Sequence, residues 1–252
     1  MTEKILAGQV AIVTGASSGL GYRFSQYIAS LGATVVATAR RVDKLEALAS
    51  GAAAAGDTII PKQLDVTDAT QIANLVDEVS NEVGLVQILV NNAGIPDAKR
   101  AHKMPLELVD AVLDTNVRAV WLLSTEVGGR LIAAGKPGRI INISSMGGFH
   151  YQGAGAALYS VSKAAVVRIT ETLAAEWAPN FINVNAIAPG AFSSEMMDGM
   201  ISRTGRDPAD TSPRKRIGDP KGLDSSLYYL LSPESEYVTG TVLKVDDGQG
   251  GR

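Results

Sequence analysis

Short runs rich in β-branched residues recur along the chain, with longer stretches of helical periodicity between them: QVAIVT (9–14), TVVAT (34–38), TIIPKQLDV (58–66), VQILVN (86–91), RIINIS (139–144), INVNAIA (182–188) and TVLKVDD (241–247). The runs are largely apolar throughout rather than alternating, which is the pattern of strands buried on both faces. Spaced by helix-length segments and joined by right-handed crossovers, they predict an α/β fold: a doubly wound parallel sheet of about seven strands with helices on both faces. No linker, repeat or break in composition divides the chain, so residues 1–252 are expected to form a single domain. The segment 190–219 is the longest without a strand pattern, mixing methionines with Gly, Pro and charges, and it is expected to act as a substrate lid, with a plain surface excursion as the alternative.

Composition narrows the chemistry. Of 252 residues, 46% are hydrophobic and 19% charged, the balance of a globular chain with a substantial core. The formal net charge is −3 and no basic stripe occurs, which argues against nucleic acid and for a small-molecule partner. With no cysteine and only His102 and His150, disulfides, a thiol nucleophile and a Cys-containing zinc site are excluded, and no metal is expected. The N-terminal MTEKILAGQ is polar, and no apolar run approaches the roughly 20 residues of a membrane span. No membrane association and a cytoplasmic location are therefore expected.

Directly after the first strand comes TGASSGLG, Thr14 to Gly21, and then a helix-like run. Gly15, Gly19 and Gly21 are expected to supply positive φ and close backbone approach, so that amides at the helix N-terminus face a pyrophosphate, as in a Rossmann-type fold. The spacing is G-x-x-x-G-x-G rather than the commoner G-x-G-x-x-G. An acidic residue at the end of the second strand would select the ribose of NAD, but TVVATARR places Ala39, Arg40 and Arg41 there. An arginine fork suits a 2′-phosphate, so NADP(H) is expected in preference to NAD(H).

The fifth run ends by delivering Ser144 and Ser145 to the carboxyl edge of the sheet, where open α/β folds bind ligands. The next helix carries Tyr159 and Lys163 four residues apart and hence side by side. A serine hydroxyl, a phenol and an ammonium converging there can polarise a carbonyl and pass it a proton. Free tyrosine titrates near ~10, so a neighbouring cation is needed to favour phenolate at neutral pH, and Lys163 is placed to provide it.

With these residues in view, the chain resembles the short-chain dehydrogenase/reductase family nearly end to end, through TGASSGLG, LDV (64–66), NNAG (91–94), TNV (115–117), INISS (141–145), YSVSK (159–163), NAIAPG (185–190) and YVTGTVLKVDDG (237–248). The resemblance implies a catalytic tetrad of Asn116, Ser145, Tyr159 and Lys163. Tyr159 would be the general acid in carbonyl reduction and the base in alcohol oxidation, Ser145 the hydrogen-bond partner of the substrate oxygen, and Lys163 the group that lowers the phenol pKa and holds the nicotinamide ribose. Asn116 would hold a relay water through its backbone. Cofactor contacts implied in the same way involve Gly15, Ser17, Ser18, Gly19, Leu20 and Gly21 in the turn, then Arg40, Asp65, Val66, Asn92, Ala93, Gly94, Pro189 and Gly190. Ser194 would replace the family's usual threonine at the carboxamide, and Tyr159 and Lys163 also face the cofactor.

Three departures matter. Ser145 precedes Tyr159 by one residue more than is common, which leaves Ser144 as an alternative to it. Asp247 stands where the family has glycine, and Ser18 where some NADP-preferring members carry a basic residue, so that Arg40 bears most of the phosphate argument. Between serine and tyrosine, 148–158 should form one pocket wall, with His150 and Tyr151 either touching substrate or lying on the surface. Met196, Met197 and Met200 face an apolar substrate or pack into the core. The implied activity is interconversion of a ketone or other carbonyl with a secondary alcohol, by a homotetramer. The rivals are an NAD-linked alcohol dehydrogenase with the same tetrad and a nicotinamide-binding scaffold without turnover.

Overall fold

The computed structural model describes residues 4–97, 99–151 and 155–250, and among these seven parallel strands form one sheet. The strands are β1 (Val10–Thr14), β2 (Thr34–Ala39), β3 (Ile59–Gln63), β4 (Val86–Asn91), β5 (Gly138–Ile143), β6 (Ile182–Pro189) and β7 (Val242–Val245). Between them run α1 (Gly19–Ser30), α2 (Val42–Ala54), α3 (Ala69–Glu82), α4 (Leu106–Leu113), α5 (Ala119–Ala134), α6 (Ala157–Trp177), α7 (Glu195–Thr204), α8 (Pro208–Thr211) and α9 (Asp224–Leu231). The strand order β3-β2-β1-β4-β5-β6-β7 is that of a Rossmann-type doubly wound sheet, with the direction of winding reversing between β1 and β4.

The continuous apolar runs have a direct explanation in the packing. Successive side chains of a strand point to opposite faces, and here both faces are covered. Ala11, Val13, Val35, Ala37, Ile88 and Val90 pack with Phe24 and Ile28 of α1, Leu45 and Leu48 of α2, and Leu227 and Leu230 of α9. Their neighbours Val10, Ile12, Val36, Leu89 and Ile140 point the other way, onto Ile72 and Val76 of α3, Leu123 and Val127 of α5, and Val166 and Leu173 of α6. Gly128 of α5 lets the last two helices approach closely, since a Cβ there would lie 2.8 Å from the Trp177 ring. No helix among the described residues is long and apolar enough to cross a membrane.

Two expected strands are shorter than their sequence runs. The run 58–66 keeps its ladder only to Gln63, because Asp65 Oδ1 accepts from the backbone N–H (3.0 Å) and hydroxyl (2.8 Å) of Thr67 and turns the chain. Pro61 sits within β3 opposite Ala37, and an edge strand tolerates its missing N–H. The run 241–247 ends at Val245, just before Asp247 adopts φ 55°, a left-handed conformation that glycine enters most easily. The aspartate at this glycine-favouring position is held by ion pairs from Arg214 (3.1 Å) and Arg216.

The segment 190–219 contains α7 and α8, and its two ends are pinched together. Ser193 N–H donates to Gly218 O and Gly218 N–H donates to Ala191 O, each at 2.9 Å. The excursion therefore leaves and rejoins the fold at one point, beside the carboxyl end of β6.

Candidate active site

A cleft of about 1130 Å³ lies at the carboxyl ends of the strands, bounded by the turn after β1, the loop after β4, the end of β5, α6 and α7. Of the residues singled out from the sequence, Gly15, Ser17, Ser18, Gly19, Leu20, Arg40, Asp65, Val66, Asn92, Ala93, Gly94, Ser145, Tyr159, Lys163, Pro189, Gly190 and Ser194 line it. Gly21 and Asn116 do not; both are buried behind its wall.

At one end, the first turn of α1 faces the cleft, and its N-cap Ser18 makes no side-chain capping bond. Gly15 and Gly19 have the expected positive φ of 66° and 54°. Gly21 does not, which corrects the expectation for that residue. It is helical and needed for close approach, since a Cβ would lie 2.4 Å from both Gly15 O and Asn92 Nδ2. Asn92 spends its amide on the turn itself, donating to Thr14 O (2.9 Å) and Gly15 O (3.2 Å). Hydrogen bonds from Thr67 hold the Asp65 carboxyl below its ordinary range, with the charge of Arg40 assisting.

The two arginines after β2 differ sharply. Arg40 lines the cleft and makes no side-chain hydrogen bond or ion pair among the described residues, its charge acting on Asp65. Arg41 is committed: its guanidinium donates to Ser17 and Ser18 hydroxyls at 3.0 Å and forks onto Glu195, at 3.2 and 2.9 Å. Glu195 opens α7, so this pair ties the turn after β1 to the excursion.

At the other end, Ser145 caps the short turn Met146–Gly148, accepting from Gly147 N–H at 3.0 Å, and its hydroxyl and the Tyr159 ring both flank Gly147. Ser144 is buried and donates to the Lys163 carbonyl at 2.9 Å, an anchoring bond that favours Ser145 as the group facing substrate. Lys163 is only 4% exposed, with Nζ 5.7 Å from the centroid of the Tyr159 ring and donating to Ile143 O at 2.8 Å. No carboxylate pairs with it among the described residues, and burial pushes its amine down to about 8. Burial also pushes the Tyr159 phenol above its ordinary value; the Ser145 hydrogen bond opposes this and the Asp97 charge adds to it. Burial is the largest of these influences on the phenol.

Asn116 lies in a π-helical turn, Asp114–Arg118, between α4 and α5. Its Nδ2 donates to Ile95 O (2.9 Å) and Ser162 Oγ (3.0 Å) while its Oδ1 accepts from Ile95 N–H (2.9 Å). The side chain is fully spent, which leaves the main chain of an irregular turn as what it can offer a ligand.

Met196, Met197 and Met200 line the cleft from α7, together with Phe192. His150 and Tyr151 are exposed and do not line it, while Gln152 to Ala154 lie outside the described residues. Two features escaped the sequence reading, Asp97 and the Arg41–Glu195 fork. Each joins loops distant along the chain, where no periodicity exists to signal it.

A parallel sheet with a ligand cleft at its switch point and a Ser–Tyr–Lys wall is the architecture of an α/β oxidoreductase. The family model for short chain dehydrogenase matches residues 9–204. The chain is 35% identical to the 3-oxoacyl-[acyl-carrier-protein] reductase FabG of Thermotoga maritima over 243 residues, 96% of this chain and 98% of that protein. It is 36% identical to the 2-dehydro-3-deoxy-D-gluconate 5-dehydrogenase of Dickeya dadantii over 245 residues, 96% of each. The crystal structure of a putative NAD(P)-dependent gluconate 5-dehydrogenase from Beutenbergia cavernae, with bound NADP, matches with a TM-score of 0.90 at 35% identity, covering 98% of each chain. The chain belongs to the short-chain dehydrogenase family.

Proposed function

We propose that the protein is an NADP(H)-dependent oxidoreductase that interconverts a carbonyl and a secondary alcohol, with Tyr159 as general acid in reduction and general base in oxidation. The observation that carries this reading is the convergence of Ser145, Tyr159 and Lys163 on one wall of a cleft whose far end is a glycine turn with an uncapped helix N-terminus. Those amides and the unpaired Arg40 suit the phosphates of a dinucleotide. When bound, a nicotinamide cofactor supplies or accepts the hydride.

The chain's own residues handle the proton. Ser145 hydrogen-bonds the substrate oxygen and orients it toward the phenol; Tyr159 donates its proton as the oxygen gains charge, and recovers it through Lys163 and the main chain around Asn116. A phenol raised by burial stays protonated at neutral pH, the state that reduction requires. For the oxidative direction, charge on Lys163 beside the ring stabilises the phenolate. Relatives of similar identity are named a 3-oxoacyl reductase and a dehydrogenase of a gluconate derivative, and both names fit a carbonyl and alcohol pair. The segment 190–219, with its methionines on the cleft, serves in this reading as the substrate lid.

Tyr159→Phe tests the assignment. Turnover is expected to fall by roughly 10²–10⁴-fold, with cofactor binding, followed by quenching of protein fluorescence, largely intact. A variant with wild-type turnover would sink the assignment. One observation favours NAD as the working cofactor instead: Arg41 is already taken up by Glu195, so that of the two arginines after β2 only Arg40 is left for a 2′-phosphate. Measuring kcat/KM with NADPH and NADH separates the two readings.

A further inference from the structure

Asp97 lies three residues beyond Gly94, in the loop between β4 and α4, and is 1% exposed although it borders the cleft. Its Oδ2 accepts from two backbone N–H groups at the start of α6, Leu158 (2.7 Å) and Tyr159 itself (3.1 Å). Helix α6 lacks a cap of its own, because Ala156 occupies the N-cap position. Asp97 therefore supplies from a remote loop the acceptor that the local sequence omits, and it binds the very peptide unit that carries the phenol. Among the described residues its Oδ1 is buried without a hydrogen-bond partner, so the carboxyl does not exhaust its accepting capacity on the two amides.

We propose that Asp97 is a positioning residue for proton transfer: it clamps the first turn of α6 against the loop after β4, fixes the Tyr159 phenol beside Ser145, and holds that phenol in its protonated form. The inference rests on the reading of Tyr159 as the acid and base. Around Tyr159 stand Ser145 from the end of β5, Lys163 from α6 and, at the backbone N–H, Asp97 from the β4–α4 loop. The ammonium and the positive end of the α6 dipole both favour phenolate. The carboxylate is the one negative charge among these groups, and it offsets them.

Two substitutions separate charge from anchorage. Asp97→Asn keeps an oxygen that can accept both amides and removes the charge. In alcohol oxidation, the acid limb of its kcat/KM profile is expected to move to lower pH than that of the wild type, with the plateau rate within about threefold. Asp97→Ala loses the clamp as well, and kcat is expected to fall by roughly 10–100-fold while the KM for cofactor changes by less than about threefold, since the cofactor's phosphate contacts lie at the other end of the cleft. An Asp97→Asn limb at the wild-type pH, or an Asp97→Ala enzyme with wild-type kcat, overturns the proposal. If Asp97→Ala fails to fold, the Asp97→Asn profile decides alone. A turnover-competent Tyr159→Phe would instead refute the parent reading, so the two failures are distinguishable.

Discussion

Lys163 is buried without a carboxylate partner, and that arrangement makes a quantitative demand on stability. Its amine titrates near 10.5 when free and at about 8 in the folded protein. Because the folded value is the lower, the unfolded chain binds more protons between the two, and stability must rise with pH across that window. The cost of burying the ammonium is fully present below about pH 8 and is relieved as pH approaches 10.5. From about pH 7 to about pH 9.5 the linkage relation gives a gain of about 2 kcal/mol from this residue alone. Lys163→Met isolates it, because titrating groups remote from Lys163 act equally on both proteins and the adjacent Tyr159 phenol, raised by burial, stays protonated through most of that range. Loss of the bond to Ile143 O costs the variant about 1–3 kcal/mol as a roughly constant offset. Urea unfolding of both proteins across that pH range measures the difference in stability at each pH. The wild type should gain on the variant by about 2 kcal/mol as pH rises. A difference that stays flat would mean that Lys163 is solvated in the folded state, and the account of its depressed pKa would fail.

Two further outcomes are expected. Arg40→Asp and Glu195→Gln should move the ratio of kcat/KM for NADPH over NADH in opposite directions: down by roughly tenfold or more for the first, which removes a charge-assisted contact, and up by roughly two- to fivefold for the second, which frees Arg41 from an exposed pair. Ratios that shift the same way would show that the 2′-position does not lie at these arginines. Gly128→Ala should lower stability by about 1–3 kcal/mol through the clash with the Trp177 ring, while leaving kcat close to wild type, because the contact is remote from the cleft; an unchanged denaturation midpoint would show that α5 and α6 separate easily.

The sheet was legible because strands buried on both faces cannot hide their composition: Ala11 and Ile12 point in opposite directions and both need apolar partners. The glycine turn was legible because Gly15 and Gly19 occupy backbone conformations that other residues reach at a cost, and Tyr159 and Lys163 because helical spacing is a local rule. What escaped notice depends on contacts that only folding creates. Asp97 meets Tyr159 across a separation of 62 residues, and Arg41 meets Glu195 across 154, with both partners of the second pair drawn from segments without periodicity. The role expected of Lys163 illustrates a different limit. Adjacency to a phenol is written in the i, i+4 spacing, but the depth of burial that depresses the amine and raises the phenol is set by the packing of β5, α6 and the turn after Ser145.

The pinch at Ala191, Ser193 and Gly218 makes the excursion a cassette. Its two ends already meet in the body of the protein, so replacing the segment between them with one of different length leaves the sheet and the Ser145–Tyr159–Lys163 wall in place. Each doubling of such a loop costs only about 0.6 kcal/mol in closure entropy. The segment could therefore be exchanged as a unit, by grafting one family member's segment between Phe192 and Gly218 of another, with Glu195 and the arginines Arg214 and Arg216 as the attachment points that a graft must preserve or replace.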